Sequence, residues 1–385
     1  MSIRFATRLI GLLVLLLPHR APAQGVPRFT LTRDLRIDAH AADLSAVSWL
    51  TVSRTGMIAV GQNQDHLIRF FDAAGGSLGT FGRDGAGPGE FRRMDIAGWL
   101  GDTMWVEDGA ALRFTLISPN RKILRNVPMA IAIKAPGDTA GGVQVIGAAG
   151  LYSDGSQLLE VIVSSDAAKR PAWAHDDQHT DSRLVLVTVT AKSEFKRLVS
   201  FGQRDDCGMV RAPGYDFCGH LKIGIDPAVQ YLAWATGSVA GADSGTYRIT
   251  LFRPDGGVTY SRKYPYVAQP IPARLRDSVA ERARTERPSG APASMLPKIG
   301  PPRVYPPVES VIVGDDGTAW VQLRTVPGGN PWVMLSPRGE VIGTLVAPVN
   351  VRLMFLGAST VWGTEKDADD VESVVRFRVV RSQDR

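Results

Sequence analysis

Six histidines and two cysteines are all the imidazole and thiol this chain of 385 residues carries, and their spacing limits their chemistry. In Trp173-Ala-His175-Asp176-Asp177-Gln-His179-Thr-Asp181, two imidazoles stand four residues apart among carboxylates. Neutral imidazole and carboxylate oxygen suit Zn²⁺ or Ca²⁺, so His175, Asp177 and His179 are a candidate metal set. On a helix that spacing would put both rings on one face. In a polar loop it fixes no geometry, and a solvated loop is the plainer reading. Cys207 and Cys218 lie eleven positions apart in a segment containing Gly and Pro. In an oxidising compartment they would close a disulfide loop stabilising by about 3 kcal/mol in the chain-entropy picture. No third thiol is present to build a soft metal site. Nucleophile signatures are missing: there is no Gly-x-Ser-x-Gly, and no Ser, His and Asp set stands out.

Any of these groups must be positioned by strands, because the chain reads as all-β. A strand that follows a turn signal recurs six times, at Gly56–Val60, Asp102–Val106, Gly155–Val161, Val229–Trp234, Gly317–Val321 and Ser359–Trp362. Each is preceded by an apolar strand and followed by an alternating one, the signature of half-buried β-structure. Turns such as Ser118-Pro-Asn and Ser336-Pro-Arg-Gly place Pro where its fixed φ suits the second turn residue. Fourth strands follow five times, at Ser77–Phe81, Lys122–Val127, Phe195–Phe201, Val258–Tyr264 and Val341–Val346. The sixth unit lacks one, while Arg28–Ile37 is an unassigned strand near the N-terminus. Letting it complete the last unit removes the exposed edges. The expected fold is a six-bladed β-propeller of four-stranded antiparallel blades, with one helical insertion.

One stretch carries a resemblance. Phe70-Phe71-Asp72 followed by Gly79-Thr-Phe81-Gly82-Arg83-Asp84-Gly85-Ala86-Gly87-Pro88-Gly89-Glu90-Phe91 resembles the NHL-type repeat. It is similar to the linker of bacterial secreted six-bladed β-propellers, with a degenerate second copy from Phe201 to Phe217. The resemblance implies the fold and supplies no reaction. The glycines permit positive φ, Pro88 stiffens the crossover and Phe91 is expected to wedge between blades. A phosphate cradle would need a helix directly after it, and a strand follows.

The propeller topology sorts the connections onto two faces. Those between first and second, or third and fourth, strands are short. Every insertion falls on the other face: 164–183, 203–220, 236–246, 269–307 and 365–372. Long loops on a rigid scaffold concentrate binding groups. Candidate ligand-binding residues on that face and in the channel are Asp65, His66, Arg92, His220, Arg303 and Arg352. Pro272–Arg287 reads as a helix, started by Pro272 and stopped by Pro288, with an apolar stripe of Leu275, Val279 and Ala283. Its arginines could meet an anion, although Asp277, Glu281 and Glu286 intersperse them.

The N-terminus reads as a secretory signal. Arg4 and Arg8 precede the apolar run Leu9–Leu17, and Ala21-Pro22-Ala23 is a small-x-small cleavage site. The run is too short for a membrane span. Residues 1–23 are assigned to the signal and 24–385 to one propeller domain. Removing the signal takes Arg4, Arg8 and Arg20 and no acid, so the net charge falls from +6 to +3. So small a surplus argues against nucleic acid as a partner. The reading is a secreted or periplasmic monomer with no stable membrane insertion, gripping an unknown protein, peptide or glycan. The alternative, which resemblance to other six-bladed propellers implies, is a metal-dependent lactonase or lyase with Ca²⁺ or Zn²⁺ in the central channel. Its inner-strand candidates are Arg92, Asp95, His220, Glu309 and Arg352.

Overall fold

The computed structural model describes residues 26–130, 142–164, 166–174, 184–201, 222–226, 228–237, 245–285, 303–324, 327–357 and 359–382. Strand β1 (Arg28–Ile37) comes first. Four antiparallel sheets of four strands follow, each paired in chain order. They are β2 (Trp49–Val52) to β5 (Ser77–Phe81) with β3 (Ile58–Gln62) and β4 (Leu67–Phe71); and β6 (Met94–Leu100) to β9 (Ile123–Pro128) with β7 (Thr103–Asp108) and β8 (Arg113–Ile117). Next come β10 (Val143–Leu151), β11 (Gln157–Val163), β12 (Leu184–Val189) and β13 (Phe195–Phe201). The fourth sheet holds β14 (Lys222–Ile225), β15 (Leu232–Gly237), β16 (Thr246–Phe252) and β17 (Val258–Pro265). Helix α1 (Ala273–Thr285) precedes β18 (Val308–Val313), β19 (Ala319–Leu323), β20 (Asn330–Leu335) and β21 (Val341–Ala347). The chain ends in β22 (Val351–Leu356), β23 (Thr360–Lys366) and β24 (Glu372–Arg381).

The last seven strands and β1 make one eight-stranded sheet, where separate four-stranded sheets were expected. Its two halves meet at β1. That strand pairs antiparallel with β24 from Ile37↔Val374 to Phe29↔Arg381. At its N-terminal end it also pairs in parallel with β21, at Arg28↔Thr344 and Phe29↔Leu345. An unpaired outer edge on β21 offers N–H and C=O groups to any neighbouring strand, and a ten-residue β1 is long enough to take both sides.

The sheets stack through their faces. Trp49, Ile68 and Phe70 of the first sheet pack with Met94, Trp99, Met104 and Ile117 of the second. Trp105, Phe114 and Leu116 continue through Leu151, Leu158 and Leu186 to Leu232 and Phe252. Tyr247, Ile249 and Leu251 pack on Val311, Val313 and Val321, and Trp320 and Trp332 on Leu353, Val361 and Phe377. Ile37, Trp362 and Val374 then meet Leu50, Ile58 and Val60 of the first sheet. The packing returns to its start, giving a propeller arrangement of four-stranded antiparallel units around a channel walled by the first strands. Two indoles tie the first units together: Trp49 Nε1 donates to Met94 O at 3.1 Å and Trp99 Nε1 to Thr51 Oγ1 at 2.9 Å. No described helix is long and apolar enough to cross a membrane.

Connections at the two ends differ. First-to-second turns, such as 53–57, 152–156 and 314–318, close by Ser53 N→Met57 O, Tyr152 N→Ser156 O and Gly314 N→Thr318 O. Those three turns put Gly56, Gly155 and Gly317 at φ +88°, +83° and +79°, where L side chains strain. At the opposite end the strands end and resume across the long stretches of sequence 164–183, 202–221, 238–245 and 266–307. They do so also across 129–142, which was not singled out from the sequence.

Candidate functional site

The linker of the resemblance is built as a rigid bracket. Gly82, Gly85 and Gly89 take φ +107°, +143° and +76°. Phe91 is fully buried, edge-on to Phe81 at 6.0 Å between ring centres. Arg83 donates to Glu90 Oε1 at 2.7 Å, while Glu90 Oε2 accepts from Gly87 N at 2.7 Å. The Gly87 N–H and the Arg83 guanidinium hold the Glu90 carboxyl below its usual range. Arg113 Nη1 donates to Ala86 O at 2.8 Å, and its Nη2 to Gly87 O and Glu90 O at 2.9 and 2.7 Å. Buried Asp108 accepts from Arg92 N, Arg93 N and Ala111 N, each at 3.1 Å. All of this is positioning; the motif presents no reactive group.

Polar side chains gather at the loop-rich end where the first strands begin. Asp65 lies in a network that sequence reading missed. Gln62, fully buried, donates to Ser45 Oγ at 2.6 Å and to Asp65 Oδ2 at 2.9 Å. Its Oε1 accepts from Arg69 Nε at 2.6 Å, and Arg69 pairs with Asp43 at 2.6 Å. Neighbouring His66 instead points to Asp84, 3.8 Å away, from a backbone φ of +55°. Arg92 is exposed beside Arg93, which pairs with Asp95 at 2.6 Å. Arg324 joins Glu309 at 2.7 Å and covers the Tyr305 ring at 4.2 Å. Arg352 bridges the ring closure, donating to Val47 O at 2.7 Å and Glu372 at 3.3 Å. Arg303 is exposed, and its carbonyl accepts from Ile271 N at 2.8 Å. His175, Asp177, His179, Cys207, Cys218 and His220, and with them the metal set and the disulfide, lie outside the described residues. Among the described residues, no three His, Cys, Asp or Glu groups are close enough together to hold a metal ion.

Beneath this rim sits Glu107, 2% exposed, with Oε2 lacking a hydrogen-bond partner. Burial pushes its carboxyl up to about 8, helped by the charge of Asp95 and opposed by Arg93. Asp95, Arg93 and Glu107 converge on Gly109, where a Cβ would meet all three within 2.9 Å. Nothing in the local sequence distinguishes Glu107 from a solvated strand residue.

The channel cavity lies at the opposite end. Its volume is about 140 Å³. Its wall comes from the C-terminal halves of first strands, including Ile225, Ile312, Val313, Met354 and Phe355, with Trp49, Leu50, Thr51, Ile96, Ala97, Trp105 and Ala149. Arg92, Asp95, Glu309 and Arg352 are not in that wall, since they stand at the starts of their strands or just before. Among the described residues, the one ionisable group in the wall is Asp226. It is 1% exposed, accepts from Tyr231 N at 2.5 Å and Ala228 N at 3.0 Å, and is pushed up to about 6, chiefly by burial.

By sequence, the chain matches no known family and no curated protein. By structure it is similar to a member of the DUF4221 family from Bacteroides vulgatus, with a TM-score of 0.50 and 11% identity over 92% of this chain and 99% of that one. A protein of Bacteroides fragilis put forward as exported gives 0.48 and 9%, over 94% and 98%. Regucalcin, a calcium-binding protein of Agrobacterium tumefaciens, gives 0.39 and 10%, over 91% and 96%. At such identities the likeness concerns fold alone.

Proposed function

We propose that this chain is an exported binding propeller that grips a protein, peptide or glycan through its loop-rich face. In this reading residues 1–23 are a secretion signal and 24–385 one six-bladed domain. The two halves of the eight-stranded sheet count as two blades, with β1 completing the last. The cysteine pair, in a chain leaving the cytoplasm, is read as a disulfide.

The observation that carries the reading is the asymmetry of the connections. Short closed turns cap one end, and the strands flanking the long stretches of sequence end and resume at the other. That end also presents a charged rim: Arg93 with Asp95, Arg324 with Glu309, and Arg352 with Glu372. The Arg93–Asp95 pair is exposed and contributes little to stability, which leaves its charges open to a partner. Arginine is suited to carboxylates and to planar stacking in such interfaces.

The test is binding of the mature protein to peptide and glycan arrays, repeated with Arg93→Ala/Arg352→Ala and with Arg54→Ala in a short turn at the other end. Expected is a defined set of binders, weakened about tenfold or more by the rim variant and untouched by Arg54→Ala. Equal loss from both variants, or no binder at all, would overturn the reading.

A further inference from the structure

The short-turn end of the channel supports a second site that does not depend on the loop-rich face. A cavity of about 140 Å³ is close in size to the engineered apolar cavity, roughly 150 Å³, that stays dry and takes up benzene. Three small wall residues, Thr51, Ala97 and Ala149, keep it open where a leucine would fill it. Trp49, Trp105 and Phe355 supply aromatic surface. The buried carboxylate of Asp226 completes the wall, its two oxygens accepting backbone N–H groups from Tyr231 and Ala228.

The turns nearest the channel at this end are acidic. The first-to-second turns, which adjoin the channel, carry Asp102, Asp154, Asp226, Asp315 and Asp316 against Arg54, while the third-to-fourth turns at the same end mix Arg121, Lys192, Arg253 and Arg338 with Asp72, Glu194, Asp255 and Glu340. Asp226 feels Asp315 as a like charge, so a cation arriving there would relieve repulsion as well as the penalty of burial. A largely apolar pocket with one carboxylate held by neutral backbone N–H groups, and acidic turns beside the channel, selects a particular chemistry.

We propose that this end of the channel binds a small organic ammonium ion, its ring-sized apolar body in the cavity and its cationic head on Asp226. The indoles of Trp49 and Trp105 add the attraction of their π-faces for a cation and report its arrival by fluorescence.

Benzylammonium and the neutral benzyl alcohol are probes of nearly the same shape. Titrated into the mature protein at pH 7.5 and read by tryptophan fluorescence and calorimetry, both bind, the ammonium at least about tenfold more tightly. Asp226→Asn brings that ratio near one while the alcohol still binds. Ala97→Leu removes both, with the melting temperature held or raised. Should Asp226→Asn fail to fold, because its carboxylate also holds the turn, the wild-type ratio still decides. No binding of either probe at millimolar concentration would overturn the site. Equal affinity for the two probes would overturn its charge selectivity, and unchanged binding by Ala97→Leu would overturn its location.

Discussion

Arg113 donates to three carbonyls of the linker, and its own strand places it there: β8 begins at Arg113, directly behind the bend that ends in Phe91. A lysine has one nitrogen where the guanidinium offers a fixed fork, so Arg113→Lys is not conservative. Arg113→Ala leaves three carbonyls without their donor and should cost about 2–4 kcal/mol in urea unfolding. Arg113→Lys should lose a large part of the same amount, and cleavage within 82–91 by a nonspecific protease should speed up in step. Glu107 makes the second residue-scale prediction. A folded pKa of about 8 against an ordinary 4.5 means the native state holds a proton that the unfolded chain releases. Its contribution is therefore complete below pH 4.5 and is lost as pH rises through about 8. Glu107→Gln, which keeps the shape without the titration, should flatten that decline: urea midpoints at pH 5 and pH 8 should differ less than in the wild type.

At the scale of elements, β1 is both the outer partner of β24 and the bridge to β21. Without it, β24 becomes an open edge with Val374, Val375 and Phe377 behind it. A mature chain starting after Ile37 should be recovered as aggregate by size-exclusion chromatography, or melt far below the full chain. Elements were the most legible level of this sequence. Arg28–Ile37, Ser77–Phe81 and Phe195–Phe201 have the bounds expected from the sequence, because strand patterning and turn signals are local properties. What joins distant strands was not legible. Gln62 and Glu107 look like ordinary polar residues in their own strands, and only the neighbouring elements bury them. Val229 is another case: a β-branched residue at φ +57°, in the turn held by Asp226, its side chain against Gly150 of another sheet. No local rule places it there. The channel cavity was hidden for the same reason, since its wall takes one to three residues from each of many strands.

The whole molecule is a closed circuit of packed faces, and no described residue of α1 belongs to its core clusters. The segment 272–302 leaves and returns through a narrow stem. Ile271 N donates to Arg303 O at 2.8 Å, Tyr305 N to Gln269 O at 2.9 Å, and Pro270 bridges Val304. Ile271 and Val304 are buried at that stem, so the ring's contact with the insertion is anchored before the helix begins. Closing a shorter loop costs the chain less entropy, and two antiparallel segments are well joined by Asn-Gly. Replacing 272–302 with Asn-Gly should therefore leave stability within about 1 kcal/mol of the full mature chain, read from the urea midpoint with an unchanged slope. The far-ultraviolet circular dichroism should lose only its helical part. If the rim reading of function holds, this variant should also bind a different or smaller set of array ligands, while benzylammonium binding at the far end of the channel stays as it was. A large fall in stability would instead mean that α1 is part of the scaffold, and that the circuit of packed faces extends into the insertion.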